Sequence, residues 1–585
     1  MKRIAIVDNE KLKDMQKKRY IQSLCPVNRS GTECIGIDEK GNLKIDEFTC
    51  IGCGICVNAA PEAIKVINLP EALNKEPIHR YGENQFALFS LPIPSFGKVV
   101  GILGKNGIGK STAIKILAGL LPPNFGDWKA SYQEYDHDKI IEFFKGTEMQ
   151  SYFQKLKKKE ITIAVKPQHI DMIPKTLNGT VRELLYRVDR EKGDDIAKKL
   201  DLHHLLDRDV KQLSGGELQR LAISATVLKD ANVYIFDEPT SYLDIKQRLN
   251  VSKFIKELGN STNKAVVVIE HDLIALDYMT EQVYIMYGKE GAFGVVSHPR
   301  STREGINTYL DGYLKEENIR IRDKRISFET KAEQKLGAKA ELCSWSNLVK
   351  KFENFRIETV SGVLFQHEIV GVVGENGTGK TTFVKLLTGV LKHDSGTKTE
   401  NIKVAYKPQY LDNSSEELVI NFLSDKYAAY KNNIMDPLDI EPLLLKKISQ
   451  LSGGELQRVA IANALSQEAD LILLDEPSAY LDIEQRLSLS KIIRKLLDYK
   501  RSTILVVDHD LLFLDYLSNR ILVFGGKPGR FGEAFGPMSV QDGMNHLLKE
   551  VNITVRRDEI SQRPRINKPN SQKDREQKIK GRYYI

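Results

Sequence analysis

Two lysines, each closing a glycine-rich run, and two adjacent carboxylate pairs are the residues of this chain best suited to chemistry. The runs are Gly104 to Thr112 (GKNGIGKST) and Gly374 to Thr382 (GENGTGKTT). In each, glycines (Gly104, Gly107, Gly109; Gly374, Gly377, Gly379) let backbone N–H groups turn inward around phosphates. The start of the following helix adds positive potential, and Lys110 or Lys380 reaches the terminal phosphates. Asn106, Thr112, Asn376 and Thr382 complete the two loops, and Ser111 and Thr381 are the expected magnesium ligands. The carboxylates lie in VYIFDE (233–238) and LILLDE (471–476), where an apolar strand delivers two acids to its carboxyl end. Asp237 and Asp475 are placed to bind magnesium through water. Glu238 and Glu476 are placed to polarise an attacking water as general bases. Together these groups predict nucleoside triphosphate hydrolysis assisted by Mg2+.

A phosphate loop alone is a moderate signal, and a bare glycine turn is the plain alternative. The repeat decides between them. LSGGELQR occurs at 213–220 and again, unchanged, at 451–458. Ser214 to Glu238 and Ser452 to Glu476 both span 24 residues, and Glu238 to His271 and Glu476 to His509 both span 33. Gln168 and Gln409 stand in matching KPQ segments. Lys98 to Leu103 reads as a buried strand and Gly109 onward as a helix, the context a phosphate loop requires. The two halves differ chiefly in one place: Lys110 to Gln168 is 29 residues longer than Lys380 to Gln409. The extra material, within 126–160, reads as two short helices broken at Gly146, the first over Asp138 to Lys145. Thr147 and Gln150 have capping-box spacing. The second helix ends in Lys155, Lys157, Lys158 and Lys159, which read as a solvated face favoured by the helix dipole.

Ahead of both halves, Cys50, Cys53 and Cys56 form a C-x2-C-x2-C run, and Cys25-Pro26 supplies a possible fourth thiolate for an iron–sulfur centre. A structural zinc site and inert buried thiols are the alternatives. Cys34 and Cys343 lie outside the pattern and read as small core residues. Five of the six cysteines precede residue 57, a distribution that favours a metal site in a reducing compartment over a disulfide framework. The 585 residues exceed a single core, and 28% charged with 41% hydrophobic residues describes a water-soluble protein. No apolar run approaches the roughly 18 residues of a membrane span, and Met1 to Tyr20 is not a signal segment. The net charge of +8 permits an anionic partner.

The motif set resembles the ATP-binding cassette (ABC) family in both halves. With the cysteine domain in front, the whole chain resembles ABC family E, the ribosome-recycling ATPases also called RNase L inhibitors. The resemblance implies an α/β fold: twin P-loop nucleotide-binding domains preceded by a small α+β ferredoxin-like domain. The expected divisions are 1–70 for the iron–sulfur domain, 71–315 for the first cassette, 316–340 for a linker, 341–545 for the second cassette and 546–585 for a C-terminal hinge. The 126–160 insertion resembles the family's helix–loop–helix that meets the small ribosomal subunit. Composition alone would make the tail from Arg556 disordered.

The resemblance also assigns roles. Tyr81, with Phe86 nearby, stacks on adenine, and Phe352 is a candidate in the second half. Gln168 and Gln409 complete the magnesium shell, and His271 and His509 contact the γ phosphate. Ser214, Gly215 and Gly216 cap ATP held at Lys380, Ser452, Gly453 and Gly454 cap ATP held at Lys110, and Asp244 and Asp482 couple the sites. The family carries two [4Fe-4S] clusters. Cys25, Cys50, Cys53 and Cys56 match one ligand set, whereas Leu12, Lys17, Ile21 and Ala60 stand where the other would be. One cluster is therefore expected and its neighbour absent. The implied activity is ATP-driven splitting of ribosomes after termination or stalling, followed by retention on the small subunit. Its implied partners are ribosomal RNA and a release factor or Pelota-like factor, with no membrane. A cytoplasmic monomer is implied. The alternative is an ATP-clamped anti-association factor that binds small subunits without efficient splitting.

Overall fold

The computed structural model describes residues 3–68, 76–129, 136–168, 170–326, 328, 340–399, 402–409, 413–500 and 502–585. Residues 130–135 of the expected insertion and 329–339 of the expected linker lie outside these.

Each half is built on a parallel sheet whose three central strands are buried at every residue, as strands covered on both faces must be. In the first half the order is Ile163–Lys166, Val233–Asp237, Ala265–Ile269, Val99–Leu103 and Gln282–Lys289. In the second it is Val404–Lys407, Leu471–Asp475, Thr503–Val507, Ile369–Gly374 and Arg520–Lys527. The sequence repeat is thus a repeat of strand order. In both, the strand bearing the acidic pair lies two places from the strand leading into the phosphate loop, so nucleotide and carboxylates meet at the carboxyl ends of the strands.

The halves are packed together. Ile245 and Leu249 of the first enter the apolar core of the second, and Ile483, Leu487 and Leu512 of the second enter a core of the first. The insertion folds as helices His137–Phe143 and Glu148–Lys157. Thr147 stands at the N-cap position of the second helix, but its side chain caps no helix amide: its hydroxyl donates to Phe144 O, and Gln150 Oε1 accepts from Gly146 N instead. The break at Gly146, in the left-handed region at φ +79°, turns the chain back so that this local bond is the shorter reach.

Far from disordered, the tail forms a hairpin, Val555–Arg557 with Pro564–Ile566, and a helix, Gln572–Ile579. Composition failed there because Arg557, Arg563 and Arg565 form ion pairs with Asp515 and Asp277 of the cassettes. The amino-terminal unit pairs Arg3–Val7 antiparallel with Ile64–Asn68 and Ile35–Ile37 with Leu43–Ile45, around helices Met15–Leu24 and Ile55–Ala59. It is fastened to the first cassette by Arg80 on Glu47 at 2.5 Å and by Asn84, which exchanges two hydrogen bonds with Ile45. No helix among the described residues is long and apolar enough to cross a membrane.

Candidate functional site

The helices Lys110–Leu117 and Lys380–Leu387 begin at Gly109 and Gly379, both in the left-handed region with φ +93° and +96°. A side chain there would be strained by its backbone and would also collide, with Phe86 in the first cassette and Phe355 in the second. Each loop lysine is buried, with its ammonium donating to loop carbonyls: Lys110 to Gly104 O and Lys105 O at 2.9 and 2.7 Å, Lys380 to Gly374 O and Glu375 O at 2.9 and 2.8 Å. Burial pushes the Lys110 ammonium down to about 8, against the pull of Glu238, Asp482, Asp237 and Glu290. An arriving anionic phosphate would reverse that shift.

Across from each lysine stands the carboxylate pair. Gln168 donates to Glu238 Oε1 at 2.9 Å and Gln409 to Glu476 Oε1 at 2.7 Å, so each glutamine is linked directly to the adjacent acid. Thr381 donates to Asp475 at 3.4 Å. Both glutamates have positive φ, +48° and +46°, a strained backbone for that residue type and one that turns each carboxylate off the strand end. Burial first, then Asp508 and Asp475, raises the Glu476 carboxyl above the usual range, the direction that suits a general base. His271 and His509 lie 3.8 and 3.6 Å from the same glutamates. Neither ring of the two has a hydrogen-bond partner among the described residues, although both are buried. Burial, with Lys110 or Lys380 close by, holds each imidazole neutral, well below its ordinary range.

Several contributors escaped the motif reading. Lys166 and Lys407, of the KPQ segments, donate to the carbonyls of Asp237 and Asp475 at 2.9 and 2.7 Å. Gln219 and Gln457, inside LSGGELQR, donate to the carbonyls of Glu238 and Glu476 at 2.6 and 2.7 Å. Phe355 touches Gly379 as Phe86 touches Gly109, while the exposed rings Tyr81 and Phe352 lie 6.5 and 6.3 Å from them. Tyr81 also bonds Thr112 at 3.0 Å. The matching KPQ and LSGGELQR segments were the available signal for the lysines and glutamines, whereas Phe86 and Phe355 stand 23 and 24 residues ahead of their loop glycines and do not repeat in register.

The two sites are joined reciprocally. Asp244 accepts from Asn376 N of the opposite phosphate loop at 2.9 Å, and Asp482 from Asn106 N at 3.2 Å. Ser214 and Ser452 open helices Gly215–Val227 and Gly453–Leu465 through capping boxes with Glu217 and Glu455, presenting Gly215, Gly216, Gly453 and Gly454 at helix N-termini. Such ends favour anions. The hydrogen bonds of the two serines stay within their own helix ends among the described residues. The arrangement can hold two nucleotides in one joint, each answered by the other cassette.

At the amino terminus a cavity is lined by Cys25, Cys50, Cys53 and Cys56 with Val27, Ile35, Ile45 and Val66, and Cys34 also faces it. Burial, followed by Cys50 and Cys53, pushes the Cys56 thiol up to about 11. Thiols so crowded in apolar surroundings fit a cationic metal core that would draw them to thiolates. Of the four positions expected to lack cysteine, Leu12, Ile21 and Ala60 are buried together in the core, and Lys17 turns outward to Glu62 at 3.0 Å.

Residues 90–241 and 357–479 match the ABC transporter family. ABC transporter E family member 1 of Arabidopsis thaliana is 43% identical over all of this chain and 98% of its own length. An archaeal structure described as ribosome-bound Pelota and ABCE1 superposes on all of this chain and 99% of its own, with TM-score 0.94 and 48% identity. A second, of an archaeal ribosome recycling factor with the ribosomal stalk protein aP1, covers 87% of this chain and 99% of its own, with TM-score 0.82 and 48% identity.

Proposed function

The chain belongs to ABC family E, and from that membership we propose that it is an ATP-hydrolysing ribosome-recycling factor that parts the subunits and stays on the small one. One observation carries the reading: both ATP sites lie in a single joint, tied by Asp244 to Asn376 and Asp482 to Asn106, while the cysteine domain rides on the first cassette through Arg80 and Asn84. Closing the joint therefore moves a second body.

Lys110 and Lys380 hold the phosphates, with Ser111, Thr381, Asp237, Asp475, Gln168 and Gln409 around Mg2+. Glu238 and Glu476 take the proton of the attacking water. His271 and His509, neutral and unpartnered in buried pockets, are free to donate to the γ phosphate as charge builds there. Tyr81 and Phe352 offer adenine platforms. The ATP held at one loop is capped from the opposite helix, at Ser452 to Gly454 or Ser214 to Gly216.

Cys25, Cys50, Cys53 and Cys56 would hold one [4Fe-4S] cluster, which stiffens a domain too small to build a large core. The proposed domains divide at 70, 315, 340 and 545. The partners are the small subunit with its RNA and a release factor or Pelota-like factor, placing the protein in the cytoplasm.

The test is subunit separation on sucrose gradients with ribosomes from the same organism, ATP and a release factor. The wild type converts whole ribosomes to subunits, and Glu238→Gln with Glu476→Gln remains bound to the small subunit. A wild type that blocks rejoining yet never splits whole ribosomes would establish the anti-association reading instead.

A further inference from the structure

Four charged side chains at the joint form two ion pairs of opposite polarity. Lys105 of the first phosphate loop and Glu375 of the second occupy the same repeat position. So do Lys246 and Glu484, each two residues beyond Asp244 or Asp482. Lys105 Nζ lies 2.6 Å from Glu484, and Lys246 Nζ lies 2.8 Å from Glu375. At each ATP site a phosphate loop is thus tied to the helix start of the opposite cassette. At one site the loop contributes the cation, and at the other it contributes the anion.

The rest of the joint is close to symmetric. Asp244 and Asp482 accept from matching backbone amides, and Tyr242 meets its repeat mate Tyr480 edge to face with ring centroids 6.2 Å apart. Such a surface does not by itself discriminate one cassette from the other. The charges do. Two first cassettes brought together in the same geometry would set Lys105 against Lys246 at both sites. Two second cassettes would set Glu375 against Glu484 at both. Only a first cassette against a second is attractive twice. Like charges directly opposed at an interface suppress the wrong pairing more effectively than the right pair adds affinity.

We propose that Lys105, Glu375, Lys246 and Glu484 are specificity determinants that make each cassette close on the opposite kind, within its own chain, and refuse a second copy of itself. This rests on the reading of the two loops as ATP sites. Glu484 carries an additional contact, to Arg322 of the segment after the first cassette at 2.5 Å, so the Lys246–Glu375 pair is the cleaner one to alter.

The experiment follows retention of labelled ATP by the full-length protein with magnesium after rapid desalting, at low and high salt, with mass measured by light scattering. K246E and E375K each release ATP about fivefold faster at low salt, an effect that shrinks as salt screens the charges. K246E/E375K returns to within about twofold of the wild type, which stays monomeric with ATP. The proposal is overturned if the double variant is as leaky as either single one, if the single variants match the wild type at low salt, or if the wild type dimerises on adding ATP. A wild type that retains no ATP at all would instead overturn the assignment of the loops.

Discussion

Asp277 and Asp515 hold the same place in the two cassettes, six residues past His271 and His509, and one C-terminal segment grips both. Arg563 and Arg565 reach Asp277 at 3.0 and 2.6 Å, and Arg557 reaches Asp515 at 2.6 Å beside the hydroxyl of Tyr584. Each aspartate lies on the helix that follows its histidine, so the tail braces both cassettes at repeat-related points behind the nucleotide joint. Arg563 is fully buried, and Asp277 is its charged partner. Asp277→Ala strands that guanidinium and should cost about 3 kcal/mol. Urea denaturation of the full chain, with proteolysis of the tail as a second readout, checks this. A variant as stable and as protected as the wild type would show that the brace carries no load.

The amino-terminal domain should bind about four iron and four sulfide per chain, the content of a single cubane cluster. Cys53→Ser should abolish the cluster's visible absorbance. Cys34→Ser should keep it, because Cys34 already has local partners, facing Asp46 O at 3.9 Å. Iron near eight per chain, or zinc in place of iron, would contradict the assignment. Leu12, Ile21 and Ala60 are packed together as core, so a second cluster is not expected.

Much of this was legible in the sequence because the chain carries its own control. Two copies of one pattern at fixed intervals picked out the phosphate loops and the carboxylate pairs, and they singled out the matching glutamines and histidines without any structure. What the copies could not give was the joint between them. The contact of Asp244 with Asn376 spans 132 residues, and no local periodicity encodes it. The tail was opaque for a related reason. Arg563 and Arg565 read as solvated charge until Asp277, 286 and 288 residues away, is seen beneath them. Phe355 was missed because Phe352 precedes it and offers the same chemistry. Only contact with Gly379 separates the two.

ATP binding should weaken in alkali, and the sign follows from Lys110. In the free protein burial pushes its ammonium down to about 8, and bound triphosphate favours the charged form and raises it. Binding above that pH must therefore take up a proton. Affinity is flat below about 8 and falls as pH rises beyond it, approaching about tenfold per unit while the bound-state value lies higher. Lys380 shifts in the same direction from the same cause, so both sites should follow. Titrating a fluorescent ATP analogue across this range measures it, with Lys110→Arg as the control that removes the slope at one site. A pH-independent affinity would mean that the lysine is already fully charged before nucleotide arrives.

Loss of Arg486 should slow turnover at both sites. Its guanidinium binds Asp510, the residue after His509, at 2.6 Å and the carbonyl of Leu481, next to Asp482, at 2.9 Å. Arg248 repeats this on Asp272 at 3.0 Å and on Leu243 O at 2.8 Å. Each arginine also acts across the joint: the charge of Arg486 helps hold His271 neutral, and that of Arg248 does the same for His509. One residue thus fixes the residue after its own histidine, the coupling aspartate of its own cassette and the field at the other histidine. Removing it costs a charge-assisted hydrogen bond and leaves Asp510 buried without its partner. Turnover by Arg486→Ala should fall at least about tenfold. Arg486→Lys, which keeps the charge but loses the fork, should recover only part of this. The decisive comparison is with Arg248→Ala and the double variant. Because both arginines act on one joint, the double variant should lose less than the product of the two single losses. Multiplying losses would mean that the two sites work independently, and the cross-joint contacts of Asp244 and Asp482 would then hold the cassettes together without coupling their chemistry.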